Sequence, residues 1–141
     1  MGIGIAIAVV AIAVGVFLFF RPTTSRPIVI NGHSFVLDVA NTEALREKGL
    51  GGRESLASDR GMLFAFDGPG VYPFWMKDMK FPIDIVWLRA GSVSDVVTLP
   101  APTGTAYIPT HVPSGPADAV LEFNAGIAEK TGLFPGTVVN Y

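Results

Sequence analysis

Gly2 to Phe20 is an unbroken run of 19 residues drawn only from Gly, Ala, Ile, Val, Leu and Phe. As a helix it spans roughly 28 Å at ~1.5 Å per residue, which matches a bilayer core of about 30 Å. A core helix of a globular domain carries a polar stripe, and this run has none. The sequence therefore predicts a transmembrane anchor over residues 1–21, a linker over 22–27 and one β-rich domain over 28–141. The competing reading is a cleaved signal peptide, which needs a basic start and a small-residue cleavage site. Neither is present: the run begins at Met1 and ends in Leu18-Phe19-Phe20-Arg21-Pro22. Arg21 and Arg26 follow the run, and a strict positive-inside rule would keep the domain in the cytoplasm. Two arginines are a weak orienting signal. The expectation adopted is a membrane-anchored chain with its domain outside the cytoplasm.

Beyond residue 26 the chain carries 8 basic and 12 acidic residues. That balance gives no basic face for a phosphate backbone, so a nucleic-acid partner is not expected. The absence of cysteine excludes disulfides, thiolate metal sites and a cysteine nucleophile. With only two histidines, no metal and no cofactor are expected. No Gly-x-Ser-x-Gly elbow occurs, and no phosphate-loop pattern occurs after the apolar run.

Pro22 and Pro27 stiffen the linker. Ile28–Ile30 and His33–Val39 flank Asn31-Gly32, the strongest short hairpin signal, because both turn positions need positive φ. Asn41 or Thr42 caps a helix through Glu43–Lys48, which Gly49, Gly51 and Gly52 end. Arg53–Asp59 reads as a turn or short helix. Gly61–Phe66 is a strand, Asp67–Gly70 a turn and Tyr72–Lys77 another strand. Ile83–Leu88 and Ser92–Leu99 form a second hairpin around Arg89-Ala90-Gly91. Residues 100–117 hold five prolines and read as a loop. Ala119–Phe123 is a strand, Asn124 caps a helix over Ala125–Thr131, and Thr137–Tyr141 is a last strand. Hairpins outnumber helical crossovers. The fold class is α+β and mostly β: a small antiparallel, barrel-like or sandwich-like domain with two short helices, preceded by one transmembrane helix.

Several ordered segments carry a family likeness. They are Val39-Ala-Asn-Thr-Glu43 with Arg46 and Gly49-Leu50, then Arg53, Gly61-Met-Leu-Phe64, Phe74-Trp-Met-Lys77, Pro82-Ile-Asp84, Val120-Leu-Glu122 and Asn124-Ala-Gly126. Over residues 28–141 the chain resembles the bacterial and archaeal family known as domain of unknown function 192. The resemblance implies a small β-rich domain, often behind a signal or anchor segment, and implies no particular activity. Two places depart from the family pattern. Gly49-Leu-Gly-Gly-Arg53 stands where Gly-Leu-Met-x-Arg is usual, and Asp78-Met79 stands where Asn-Thr is usual.

Asp84 and Glu122 each sit inside an apolar strand, where a lone buried carboxylate costs several kcal/mol. They are candidates for acid/base catalysis, as a glycosidase-like pair, or for ligand anchoring. They can equally fix the fold, with Arg53 as partner. Trp75, Lys77 and Met79 alternate onto one strand face, and a Trp beside a Lys can stack on a sugar or hold an anion. Arg53 follows two glycines that leave room for an anionic ligand. His111 lies in the proline-rich loop and is a further candidate; His33 reads as exposed. The candidate binding set is Arg53, Trp75, Lys77, Asp84, His111 and Glu122. Three functions remain open. The first is a non-catalytic binding module for a small polar or saccharide-like ligand or a cell-envelope partner. The second is a carboxylate-dependent hydrolase using Asp84 and Glu122. The third is an assembly factor whose polar residues only hold the fold.

Overall fold

The computed structural model describes residues 24–141. The expected anchor over 1–21 and residues 22–23 of the expected linker lie outside the described residues; from Ser25 on, the expected linker is instead part of the first strand. Among the described residues no helix is long and apolar enough to cross a membrane.

Eight strands and two helices follow in order among the described residues: β1 (Ser25–Ile30), β2 (His33–Ala40), α1 (Glu43–Lys48), β3 (Arg60–Gly70), β4 (Phe74–Trp75), β5 (Ile83–Arg89), β6 (Ser92–Leu99), β7 (Thr110–His111), β8 (Ala117–Asn124) and α2 (Ile127–Thr131). Six strands form one sheet in the order β1-β2-β3-β8-β5-β6, and β4 pairs β7 in a separate two-stranded ribbon. Both expected hairpins are present. Asn31 and Gly32 take φ of 46° and 83°, and Ala90 and Gly91 take 50° and 76°, the left-handed pair that a two-residue hairpin turn requires.

The domain is mostly β with two short helices, as expected, and its sheet departs from the expected antiparallel, barrel-like or sandwich-like arrangement in two ways. First, β2 and β3 run parallel. The connection from Asn41 to Asp59 is too long for a hairpin and carries α1, so it acts as a crossover. Second, the sheet stays open. Closure needs β1 to meet β6, but the outer edge of β6 is taken by the C-terminal segment. Val93 N–H donates to Thr137 O, and Gly136 N–H to Val93 O. Val138 makes only an isolated bridge to Ser92 in place of the expected last strand.

Local differences have similar causes. Thr42 caps α1, accepting from Leu45 N–H. Asn124 does not cap α2; it donates from Nδ2 to Leu56 O at 2.8 Å, and Gly126 takes the cap position. β3 continues through the expected Asp67–Gly70 turn, with a bulge, to reach Ala117. The expected strand over Tyr72–Lys77 shrinks to Phe74–Trp75. It stops because Asp78 turns the chain with φ 59°.

The open sheet buries both faces. One core holds Phe35, Leu37, Leu63, Val86, Leu88, Leu121 and Phe123 beneath α2 and the C-terminal segment. The other holds Ala40, Met62, Phe64, Ile85, Trp87 and Val120. Over this second face lie α1, the glycine turn with Leu50, and the segment with Phe74, Met76 and Met79. Strand alternation decides which face a side chain joins, and the second face is the one on which irregular chain meets buried polar groups.

Candidate functional site

Four strands set one row of side chains across the second face. Asp38 on β2 is opposite Met62 on β3, Met62 is opposite Glu122 on β8, and Glu122 is opposite Ile85 on β5. Glu122 thus stands in the middle of the sheet between Met62 and Ile85, 4% exposed. Two glycines let the backbone close around it. A Cβ on Gly61 would fall 2.7 Å from Glu122 O, so β3 approaches β8 only because that position is bare. A Cβ on Gly49 would lie 3.7 Å from Glu122 Oε2 and 3.3 Å from the Phe64 ring. Gly49 ends α1 at φ 51°, ψ −135°, a conformation open essentially to glycine alone.

Glu122 Oε2 is buried and has no hydrogen-bond partner among the described residues. It borders a narrow cavity of about 20 Å³, with walls that include Gly49, Leu50, Phe64, Phe74 and Met79 and with Trp75 and Lys77 also on its lining. Burial pushes the Glu122 carboxyl up to about 8; the positive charge of Arg53 opposes that rise without reversing it. At neutral pH the group is therefore mostly a carboxylic acid, able to donate as well as accept.

An open groove of about 960 Å³ adjoins this cavity, the two sharing Glu47, Lys48, Gly51, Lys77 and Met79. One wall is α1 with its glycine turn; another is the segment from Lys77 to Lys80, and the loop over 102–108 closes a third side. The two walls touch through backbone. Gly52 N–H donates to Asp78 O at 2.9 Å, and a Cβ on Gly51 would lie 3.2 Å from Lys77 O. The two departures from the family pattern, at Gly51-Gly52 and Asp78-Met79, are thus one feature: they pack on each other at the groove.

Trp75 is 48% exposed, and Lys77 Nζ lies 5.2 Å from the center of its ring. Lys80 pairs with Glu54. Met79 does not share a face with Trp75, as strand alternation would have it. The turn at Asp78 sends it into the core beside Met76.

The other expected site residues lie elsewhere. Asp84 and Glu122 occupy adjacent strands but opposite faces, since Asp84 is opposite Phe123. They do not form a carboxylate pair, and the hydrolase reading built on that pair is set aside. Asp84 instead accepts from Thr98 Oγ1 at 2.7 Å and from Ala128 N–H at 2.8 Å, which ties the first turn of α2 to the sheet. Arg53 pairs with neither Asp84 nor Glu122. Its guanidinium donates to Asp38 Oδ2 at 2.9 Å, while Arg60 donates to Oδ1 at 2.6 Å. Asp38 was not singled out in the sequence, although its place between Leu37 and Val39 in an amphipathic strand is the same signal that marked Asp84. His111 lies outside the groove lining. Its Nε2 is 3.1 Å from Asp95 Oδ2, and its ring is 5.2 Å from that of Trp87. Burial alone would raise the Asp95 carboxyl, but hydrogen bonds from His111, Ser114 and Val96 hold it below its ordinary value. His33 Nδ1 rests against Asn31 O within its own hairpin. Among the described residues, no group of three or more His, Asp or Glu side chains converges as a metal site.

A model of the DUF192 family, described as Uncharacterized ACR, matches residues 27–141. A protein of unknown function from Novosphingobium aromaticivorans DSM 12444 has a similar crystal structure. It is 30% identical with a TM-score of 0.68, over 83% of this chain and 85% of that one. A proposed transcription regulator from Sinorhizobium meliloti 1021 is similar too. It is 29% identical with a TM-score of 0.67, over 82% of this chain and 90% of that one. No curated protein matches.

Proposed function

The chain belongs to the DUF192 family, and from the geometry of its groove we propose that it is a non-catalytic binding module for a small polar, saccharide-like ligand. The observation that carries the reading is Glu122: a buried carboxyl with an unpartnered oxygen that lines a cavity opening on a groove. A polar atom left unsatisfied inside a fold costs about 1–3 kcal/mol, a cost that a ligand's hydrogen bond removes. On the cavity lining, half-exposed Trp75 offers a flat apolar surface to a sugar ring, with the Lys77 ammonium over one face of the indole. Of the candidate residues, Trp75, Lys77 and Glu122 take part directly. Arg53 acts at a distance, through its charge, while Asp84 and His111 stand apart from the groove. Residues 2–20 hold the domain at a membrane, facing the extracytoplasmic side, where envelope saccharides are within reach. The regulator description of the Sinorhizobium relative is not carried over, because a chain with net charge −2 has little to offer a phosphate backbone.

The test is a thermal-shift screen of the full chain, kept in solution by a sugar-free detergent, against polyols, sugars, envelope fragments and nucleotides. A ligand at ~100 times its dissociation constant stabilises by about 2.7 kcal/mol. The expected result is a shift with a sugar or polyol that Trp75→Ala diminishes. A shift that Trp75→Ala leaves intact, or none with any compound, overturns the reading.

A further inference from the structure

We propose that the cavity at Glu122 is a subsite for one uncharged hydroxyl group, so that the ligand class of the groove is a neutral sugar or polyol presenting a free hydroxymethyl arm. This rests on the groove being a ligand site and specifies what that ligand must place at its end.

Size is the first argument. About 20 Å³ holds roughly one water-sized group, for which ~10–15 Å³ suffices. A carboxylate, phosphate or ring does not fit; the tip of a slender arm does. The walls are the second. Phe64, Phe74, Leu50 and Met79 are apolar, and the two rings meet edge-on with centers 4.8 Å apart. A charged group entering there would lose its hydration with little in return.

Hydrogen-bond matching is the third argument. Glu122 in its acid form donates one hydrogen bond and accepts others, and a hydroxyl is the single-atom group that answers both. The charges around the carboxyl act against a cation. Its strand neighbors Met62 on β3 and Ile85 on β5 are uncharged. Asp38 on β2 is committed to Arg53 and Arg60. From α1 come Arg46, held at Ala65 O, with Glu47 and Lys48, and from the facing segment comes Lys77. The cations outnumber the acids, so an ammonium arm would meet repulsion at the entrance. An anionic arm would be drawn to the rim but would have to shed its water beside Phe64 and Phe74.

The experiment is calorimetric titration of the full chain in sugar-free detergent at about pH 6.5, below the titration of Glu122. The probes are methyl α-D-glucopyranoside and its 6-deoxy, 6-amino-6-deoxy and uronate analogues. The parent sugar is expected to bind about tenfold or more tightly than each analogue, the usual consequence of leaving a buried polar group unanswered. Glu122→Gln keeps a donor and an acceptor and is expected to stay within about threefold of the wild type. Glu122→Leu keeps neither and is expected to lose about tenfold or more. Equal binding of the uronate or amino analogue overturns the proposal. So does unchanged affinity in Glu122→Leu; if Trp75→Ala still weakens binding, the hydroxyl subsite falls while the groove reading stands. Failure of all four sugars to bind also overturns it. The broader screen then separates the two ideas, since a groove ligand of another class removes only this proposal and no groove ligand removes both.

Discussion

Replacing Glu122 by Gln should make the protein more stable at neutral pH, although it alters a buried polar residue at the center of the sheet. The carboxyl titrates near 4.5 when freely hydrated and at about 8 in the fold. Between those values the unfolded chain is ionised and the folded chain holds its proton. The folded state therefore binds more protons, and stability falls as pH rises, by up to about 1.4 kcal/mol per pH unit. The loss begins near pH 4.5 and is complete once pH passes 8. At pH 7 the accumulated cost is about 3 kcal/mol, as an order of magnitude. A glutamine is neutral throughout and escapes that cost while keeping the shape. The two proteins should then be nearly equal at pH 4.5 and diverge to about 3 kcal/mol at pH 7, or roughly 10 °C in Tm for a domain of this size. Urea unfolding of both proteins at half-unit pH steps reads the difference directly. A difference that does not change with pH, or a glutamine variant less stable at pH 7, would show that Glu122 is ionised and satisfied in the fold. That result would refute both the buried acid and the subsite built on it.

Other consequences follow from the same geometry. Asp84→Asn removes one of two acceptors beneath α2 and should cost about 1–3 kcal/mol; sugar binding, measured calorimetrically, should not change, because the residue lies on the other face. Asp38→Asn should destabilise by a similar amount, since Arg53 and Arg60 lose their shared carboxylate, and chemical denaturation would register it. Gly61→Ala drives a methyl to within 2.7 Å of Glu122 O, so β3 and β8 must part at a cost of about 1–3 kcal/mol, visible as a lower Tm. Trp75→Ala should leave stability within about 1 kcal/mol, because the ring is half exposed, while ligand binding is weakened.

Much of the strand framework was legible because its signals are local. Asn31-Gly32 and Ala90-Gly91 state their own turns, and the alternation in His33–Ala40 states which side is buried. The parallel pairing of β2 with β3 was not legible, because it depends on where the Asn41–Asp59 crossover lays α1, and no residue within either strand encodes that. The open sheet was missed for a related reason. Its closure is pre-empted by residues 136–139, whose bonds to Gly91 and Val93 are fixed only once the chain has folded. At the site, the sequence marked Glu122, Trp75 and Lys77, which the fold gathers on one cavity. It also marked Asp84, which alternation alone could have separated from Glu122 had the register of β5 on β8 been known. The partner of Arg53 was misplaced because Asp38, 15 residues earlier, is brought to it only by the parallel crossover.

The most direct test of the ligand groove is to follow backbone amide signals of the isotope-labeled full chain while adding methyl α-D-glucopyranoside to tens of millimolar. The account expects saturable shifts at Gly49, Gly51, Trp75, Lys77 and Glu122, with Asp84, Asp95 and His111 unmoved. Shifts centered on the Asp95–His111 loop or on the face beneath α2 would contradict the groove itself, and no saturable shift anywhere would contradict its hydroxyl subsite.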